Sequence, residues 1–154
     1  MKRIVGLLFL CMMTVTLFAC GKDQASDNDV LKLLEDYKTA QYNIKDPLNP
    51  PSGTEIGEKV KGYFTEEEYE KQMANRVFQI APEIAKVSNR SIKLENVNLK
   101  KTKDNKDGTI DYDYTLKLKF YDDESSEVIE KKGQLTVEGH KITRDWEDHT
   151  PIKK

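Results

Sequence analysis

The chain has 154 residues, 34% of them charged, with a formal net charge of −2, two cysteines and two histidines. That length suits one domain around a single core. The near-balanced charge argues against a nucleic-acid partner, which needs a concentrated basic surface. So few cysteines and histidines argue against a multi-histidine or thiolate metal site.

Lys2 and Arg3 precede an uncharged run, Ile4 to Ala19, which ends in Leu17-Phe18-Ala19-Cys20-Gly21. This is the layout of a secretion signal. It resembles the lipobox of bacterial lipoproteins, in which the cysteine thiol receives a diacylglyceryl group and the preceding peptide is then removed. Phe18 departs from the smaller residue usual at that position. An apolar run of this length also suits a membrane span, but the Cys-Gly pair and the polar sequence after it favour processing. The expectation is a signal peptide over 1–19 and a mature lipoprotein that begins at Cys20. Palmitate-type acyl chains would hold it on the extracytoplasmic face of the cell membrane, because two chains anchor durably where one binds marginally. Cleavage leaves 135 of the 154 residues and takes the formal charge from −2 to −4 as Lys2 and Arg3 leave. Cys11 goes with the signal and Cys20 is acylated, so no internal disulfide can form.

Residues 20–29 are polar and read as the lipidated cysteine with a short tether. Residues 30–149 read as a single α+β domain and 150–154 as a tail. Val30, Leu33, Leu34, Tyr37, Ala40 and Ile44 recur at helical spacing, with Ser26, Asp27 and Asn28 as possible caps. Asp46 to Gly53, with adjacent prolines, ends that helix. Thr54 is positioned to cap a short helix carrying Ile56 and Val60, which Gly62 ends. Thr65-Glu66-Glu67-Glu68 has the form of a capping box. It predicts a long helix through Tyr69, Met73, Val77 and Ile80, with Pro82 kinking or restarting it for a final turn to Val87.

From Ser91 the period becomes two. Ile92 and Leu94 are even-numbered while Val97 and Leu99 are odd, so one face stays apolar only if the strand bulges near Glu95-Asn96. Lys103 to Gly108 is a turn, and residues 110–120 alternate so cleanly that one face must be dry. Two more strands are predicted over 127–137 and 140–147. A Glu138-Gly139 turn would set Val137 opposite His140, Leu135 opposite Ile142, Gly133 opposite Arg144 and Lys131 opposite Trp146. A turn at Asp123 to Ser126 would set Tyr112 beside Val137, Tyr114 beside Leu135 and Leu116 beside Gly133, again with one apolar face.

Helices followed by a bulged antiparallel meander predict an α+β fold: N-terminal helices packed in the concave face of a curved antiparallel sheet, a cone-shaped, cystatin-like roll. The order of elements over most of Val30 to Glu147, including Lys141-Ile-Thr-Arg-Asp-Trp146, resembles the nuclear transport factor two-like (SnoaL-like) family. The lipobox, Tyr63-Phe-Thr-Glu-Glu-Glu-Tyr69 and Asp107-Gly-Thr-Ile-Asp-Tyr-Asp-Tyr114 are similar to small lipoproteins of Gram-positive bacilli. The resemblance implies a cavity between sheet and helices, in a family that includes enzymes, carriers and structural partners, so fold alone settles no function.

In that register Arg144 points inward, beside Trp146 and opposite Gly133, whose missing side chain leaves room for a guanidinium. It is the candidate anion-recognition group, set against an ion pair or stacking role. Tyr112, Tyr114 and Trp146 are candidate cavity walls, the two tyrosines set against ordinary core packing, and His140 is a rim candidate. Family enzymes often pair a histidine with an aspartate, but Asp111, Asp113 and Asp145 fall on the outer face by parity, so no dyad is visible. Lys103 to Gly108 puts Tyr114 where a calcium loop needs a bidentate Glu, which argues against calcium. No catalytic motif and no cofactor is implied. The leading expectation is a non-catalytic domain, monomeric in solution, that binds a small ligand or an envelope protein. The alternatives are a cavity-based lyase or isomerase and an accessory subunit of an envelope complex.

Overall fold

The computed structural model describes residues 24–148. The expected signal peptide, Cys20 and the tail from 150 lie outside them. Four helices, α1 (Asp27–Tyr42), α2 (Gly53–Val60), α3 (Glu66–Ala74) and α4 (Ile80–Ser88), precede four strands, β1 (Ser91–Asp104), β2 (Thr109–Tyr121), β3 (Ser126–Glu138) and β4 (Lys141–Glu147). The strands form one antiparallel sheet in the order β1-β2-β3-β4. The helices pack in its concave face, which is the expected α+β architecture.

Helix α1 starts at a full capping box, Ser26 with Asp29, so the polar lead-in is shorter than its composition suggests, and Ala25 is already buried. Helix α2 is capped by Ser52 with Glu55, two residues before Thr54. The long helix expected from Thr65 breaks at Arg76, which takes φ +56°, and a 3₁₀ turn over Val77–Gln79 leads into α4. Pro82 then sits in the first turn of α4, where an amide hydrogen has no intrahelical acceptor to lose. The break turns Phe78 inward against Tyr37 and Phe64, with ring centroids 6.5 and 6.1 Å apart.

Strand β1 bulges between Leu94 and Asn96, where the change of parity requires it, and again between Lys101 and Lys103. The β2–β3 loop is Asp122–Ser125, one residue earlier than expected, so every cross-strand pair moves by two: Tyr112 faces Leu135, Tyr114 faces Gly133 and Leu116 faces Lys131. A two-residue slip keeps each side chain on its face. The β3–β4 hairpin differs more. Glu138 pairs with Lys141, leaving Gly139 (φ +57°) and His140 as the turn. Ile142 then pairs with Val137 and Arg144 with Thr136, which leaves Thr143 as an extra, bulged residue. One extra residue inverts parity downstream. Asp145 and Glu147 therefore turn to the concave side, while Arg144 and Trp146 turn out.

The free edge of β4 is covered by α3 and its lead-in. Phe64 forms a parallel bridge with Ile142, and the Thr65 amide donates to the Ile142 carbonyl at 2.9 Å. Only half of the expected capping box forms: the Thr65 hydroxyl accepts from the Glu68 amide, while the Glu68 carboxylate is drawn inward to accept from the Asp145 amide at 3.0 Å. Gln72 donates to the Asp145 carbonyl at 2.9 Å and to the Glu68 carboxylate.

Candidate functional site

Lys38 is the organising residue of the interior. It is fully buried, four residues after Leu34 on the face of α1 that packs on the sheet. A buried ammonium without partners is prohibitive, so its three protons must all find acceptors. Lys38 Nζ donates to Asp145 Oδ2 at 2.7 Å, to Gln41 Oε1 at 3.2 Å and to the Glu147 carboxylate. Both carboxylates come from β4, and they face inward only because of the Thr143 bulge.

Three tyrosines complete the cluster. Tyr37 donates to Asp145 Oδ2 at 2.7 Å, Tyr114 donates to Asp145 Oδ1 at 2.6 Å, and Tyr42 donates to Glu147. Lys131, half-buried on β3, donates to Glu147 Oε2 at 2.8 Å and to the Tyr42 hydroxyl at 3.0 Å. Two lysines and two carboxylates make the set electrically neutral. Burial alone would push the Glu147 carboxyl up, but Lys38 and Lys131 together overcome it and lower the pKa to about 2. Burial, and then the adjacent Asp145 and Glu147 charges, push the Tyr37 and Tyr114 hydroxyls well above their ordinary range; for Tyr42, burial and then Glu147 do the same. These tyrosines stay protonated donors.

Beside the cluster opens a cleft of about 920 Å³. Ile80 and Ile84 of α4 and Leu118, Phe120 and Ile129 of the sheet give it apolar walls, while Tyr42, Lys131 and Glu147 form a polar end. The balanced lysine–carboxylate pairs give that end fixed charges and firmly held donors. They do not supply an unpaired nucleophile or base, since each charged group is already engaged by its opposite.

Arg144 and Trp146 border this cleft from the edge strand, but both are exposed, Trp146 by 52%. The space left by Gly133 belongs to another guest. A Cβ there would lie 2.2 Å from Tyr114 Cζ, so the glycine admits the tyrosine ring from β2 on its way to Asp145. Tyr112 is buried, with its hydroxyl donating to Asp27 at 2.8 Å, and neither Tyr112 nor Tyr114 lines the cleft. His140 is exposed in the β3–β4 turn, remote from Asp145, so the structure does not assemble a His–Asp dyad from this pair. Lys103 to Gly108 forms a turn in which the Asp107 carboxylate accepts from Thr109. No cluster of three potential metal ligands occurs among the described residues.

Sequence patterning does not point to Lys38, Gln41, Tyr42, Gln72 or Glu147 as site residues, reads Glu68 only as the capping partner of Thr65, and places Asp145 on the outer face, where the structure turns it inward. The available signal was spacing: Lys38 follows Val30 and Leu34 at the four-residue interval of the buried stripe. A lysine inside an apolar stripe asks for buried carboxylates elsewhere in the chain.

Helices seated in the concave face of a four-stranded antiparallel meander, with a cleft behind them, define the class of fold. The same fold occurs in the transfer protein TraH from the Gram-positive conjugative plasmid pIP501 (TM-score 0.52, 18% identity, covering 84% of this chain and 99% of that one). It occurs in an IcmL-like type IV secretion system protein from Legionella pneumophila (TM-score 0.57, 10% identity, 85% and 99% covered) and in the periplasmic domain of DotI (TM-score 0.56, 12% identity, 84% and 100% covered). No family profile and no curated protein matches the chain in sequence.

Proposed function

We propose that this chain is an accessory subunit of an envelope-associated transfer or secretion assembly, held at the outer face of the cell membrane by a lipid on Cys20 and acting through protein contacts. The observation that carries the reading is the fold. TraH, the IcmL-like protein and the periplasmic domain of DotI are matched over 99–100% of their own chains. The mutual pairing of Lys38, Lys131, Asp145 and Glu147 supports a non-catalytic role, and the lipobox-like segment supports the location. Of the expectations drawn from sequence, the envelope-subunit alternative therefore takes precedence over the small-ligand reading.

In-cell crosslinking of the full chain in its own host, followed by native electrophoresis of detergent-extracted membranes, tests the proposal. A discrete high-mass complex containing other envelope proteins is expected; a chain that migrates alone at its own mass overturns it. The mass of the mature N-terminus, with Cys20→Ala as control, tests the anchor separately. An acylated Cys20 is expected, and an unprocessed chain removes it.

The cleft favours a second reading, in which an amphipathic small molecule is held by the apolar walls and the Lys131–Tyr42–Glu147 end. Native mass spectrometry of the protein from its host would then show a bound organic mass that Ile84→Asp removes. We also read the free domain as a monomer, because Asp111, Asp113, Lys117 and Lys119 occupy the outer sheet face and burying them without matched partners is costly. Sedimentation as a stable dimer at micromolar concentration would overturn that.

A further inference from the structure

The cleft holds polar atoms that the ionic cluster does not use. Gln41, at the last turn of α1, is 1% exposed and lines the cleft. Its Oε1 accepts from Lys38 Nζ at 3.2 Å. An ammonium only donates, so that contact fixes the orientation of the amide and turns both Nε2 hydrogens the other way. Gln72, on α3, is 4% exposed and lines the same cleft. Its Nε2 donates to the Asp145 carbonyl at 2.9 Å and to the Glu68 carboxylate, so Oε1 is the atom left over. Among the described residues, neither Gln41 Nε2 nor Gln72 Oε1 has a hydrogen-bond partner. Only Arg90 Nε is both fully enclosed and unpartnered there, so the two amide atoms reach open space. The cleft is the open space that both residues line, and it receives a free donor and a free acceptor.

Charge restricts what can use them. Lys71, Lys131 and Arg144 line the cleft against Asp145, Glu147 and Asp148, and behind them Lys38 and Glu68 add one charge of each sign. The formal sum is zero. Lys131 and Glu147 lie 2.8 Å apart, so a carboxylate brought to the lysine also meets Glu147, and an ammonium brought to Glu147 also meets Lys131. A charged ligand would lose hydration here and find no uncompensated opposite charge. An uncharged group that accepts and donates meets no such penalty.

We infer that the cleft takes an uncharged, amide-bearing amphiphile, with a carbonyl for Gln41 Nε2, an N–H for Gln72 Oε1 and an aliphatic body against Ile80, Ile84 and Ile129. This ligand class rests on the small-molecule reading of the cleft and adds the chemistry of the head group to it. Bonds to the two glutamines complete polar groups that burial otherwise leaves open. A volume of about 920 Å³ accommodates a molecule of this kind.

Trp146 is the only tryptophan and lines the cleft, so its emission reports occupancy. The full chain, reconstituted in phosphatidylcholine vesicles, is titrated with octanamide, octanoate and octylammonium, which share one tail and differ in head group. Octanamide is expected to saturate, with a Kd about fivefold or more below those of both ions. Ile84→Asp, which puts a carboxylate into the apolar wall, should abolish saturation. Gln41→Glu keeps an acceptor for Lys38 but removes the free donors and adds a negative charge, so preference should pass from octanamide to octylammonium. Octanoate or octylammonium binding the native chain as tightly as octanamide overturns the head-group assignment and leaves the small-molecule reading standing. No saturable response to any of the three, with water alone meeting the glutamines, overturns both, as does saturation that Ile84→Asp leaves unchanged. An unchanged octanamide preference in a folded Gln41→Glu chain overturns the head-group assignment, and the native series decides it where that variant does not fold.

Discussion

Strands β1 and β4 each carry a bulge that inverts the side-chain alternation, and only one of the two is legible. In β1 the residues turned inward on both sides of the bulge are apolar, Ile92 before it and Val97 after it. The hydrophobic pattern itself changes parity and exposes the extra residue. In β4 the bulge at Thr143 turns in Asp145 and Glu147, while the apolar Trp146 goes out. A reader following hydrophobicity keeps regular alternation and buries the wrong set. Periodicity reports a bulge only when what it turns inward is apolar; when the interior is ionic, the missing signal lies in the partner, here Lys38 on a helix more than a hundred residues earlier.

Breaking the ionic interior should cost most. Lys38→Met leaves Asp145 and Glu147 buried without their common cation, and a loss of about 3–5 kcal/mol in urea unfolding is expected. A loss below 1 kcal/mol would mean that β4 can return to regular alternation. Acid should act next. With Glu147 at about 2 when folded against an ordinary 4.5, its contribution is complete above pH 4.5 and is lost as pH falls through 2. Over that window about 3 kcal/mol should disappear, and Glu147→Gln should flatten the acid limb of a stability–pH curve. Gly133→Ala should destabilise by about 1–3 kcal/mol, because its methyl meets the Tyr114 ring and the Trp146 carbonyl. A smaller cost of Gly133→Ala in a Tyr114→Leu background than in the native chain would confirm that the glycine serves that ring. Arg144→Met should change stability by less than about 0.5 kcal/mol, as expected for an exposed side chain away from the core. A larger loss would return Arg144 to the inward position that regular alternation implies.

Much of the architecture was legible for physical reasons. The α1 stripe, the alternation over 110–120 and the parity change near Glu95 are each imposed by burying one face of a regular element. Helix boundaries were less legible because competing caps lie close together, as Ser52 and Thr54 do, and because Asn75-Arg76 carries no strong breaker. Strand pairing slipped by two in β2–β3, since a shift of two leaves the apolar face intact. The candidate site was hardly legible. Gly133 was rightly marked as a space, but Tyr114 and not Arg144 fills it, because the strand opposite is shifted by three residues, two at the turn and one at the Thr143 bulge, and sets Glu147 against Gly133.

The cover that Phe64, Thr65, Glu68 and Gln72 place over β4 also bears on how such a domain behaves among neighbours. Strands recruit other strands through unpaired backbone groups at a sheet's margin. On one margin, side chains and backbone from α3 and its lead-in already occupy those groups around Ile142 and Asp145. On the other, Asn43 and Ile44 engage the start of β1, and beyond them two bulges and exposed Lys100, Lys101 and Lys103 disrupt a template for addition. Copies at high local concentration are thus hindered from zipping edge to edge into ribbons, and association is left to faces and loops, where fit can be selective.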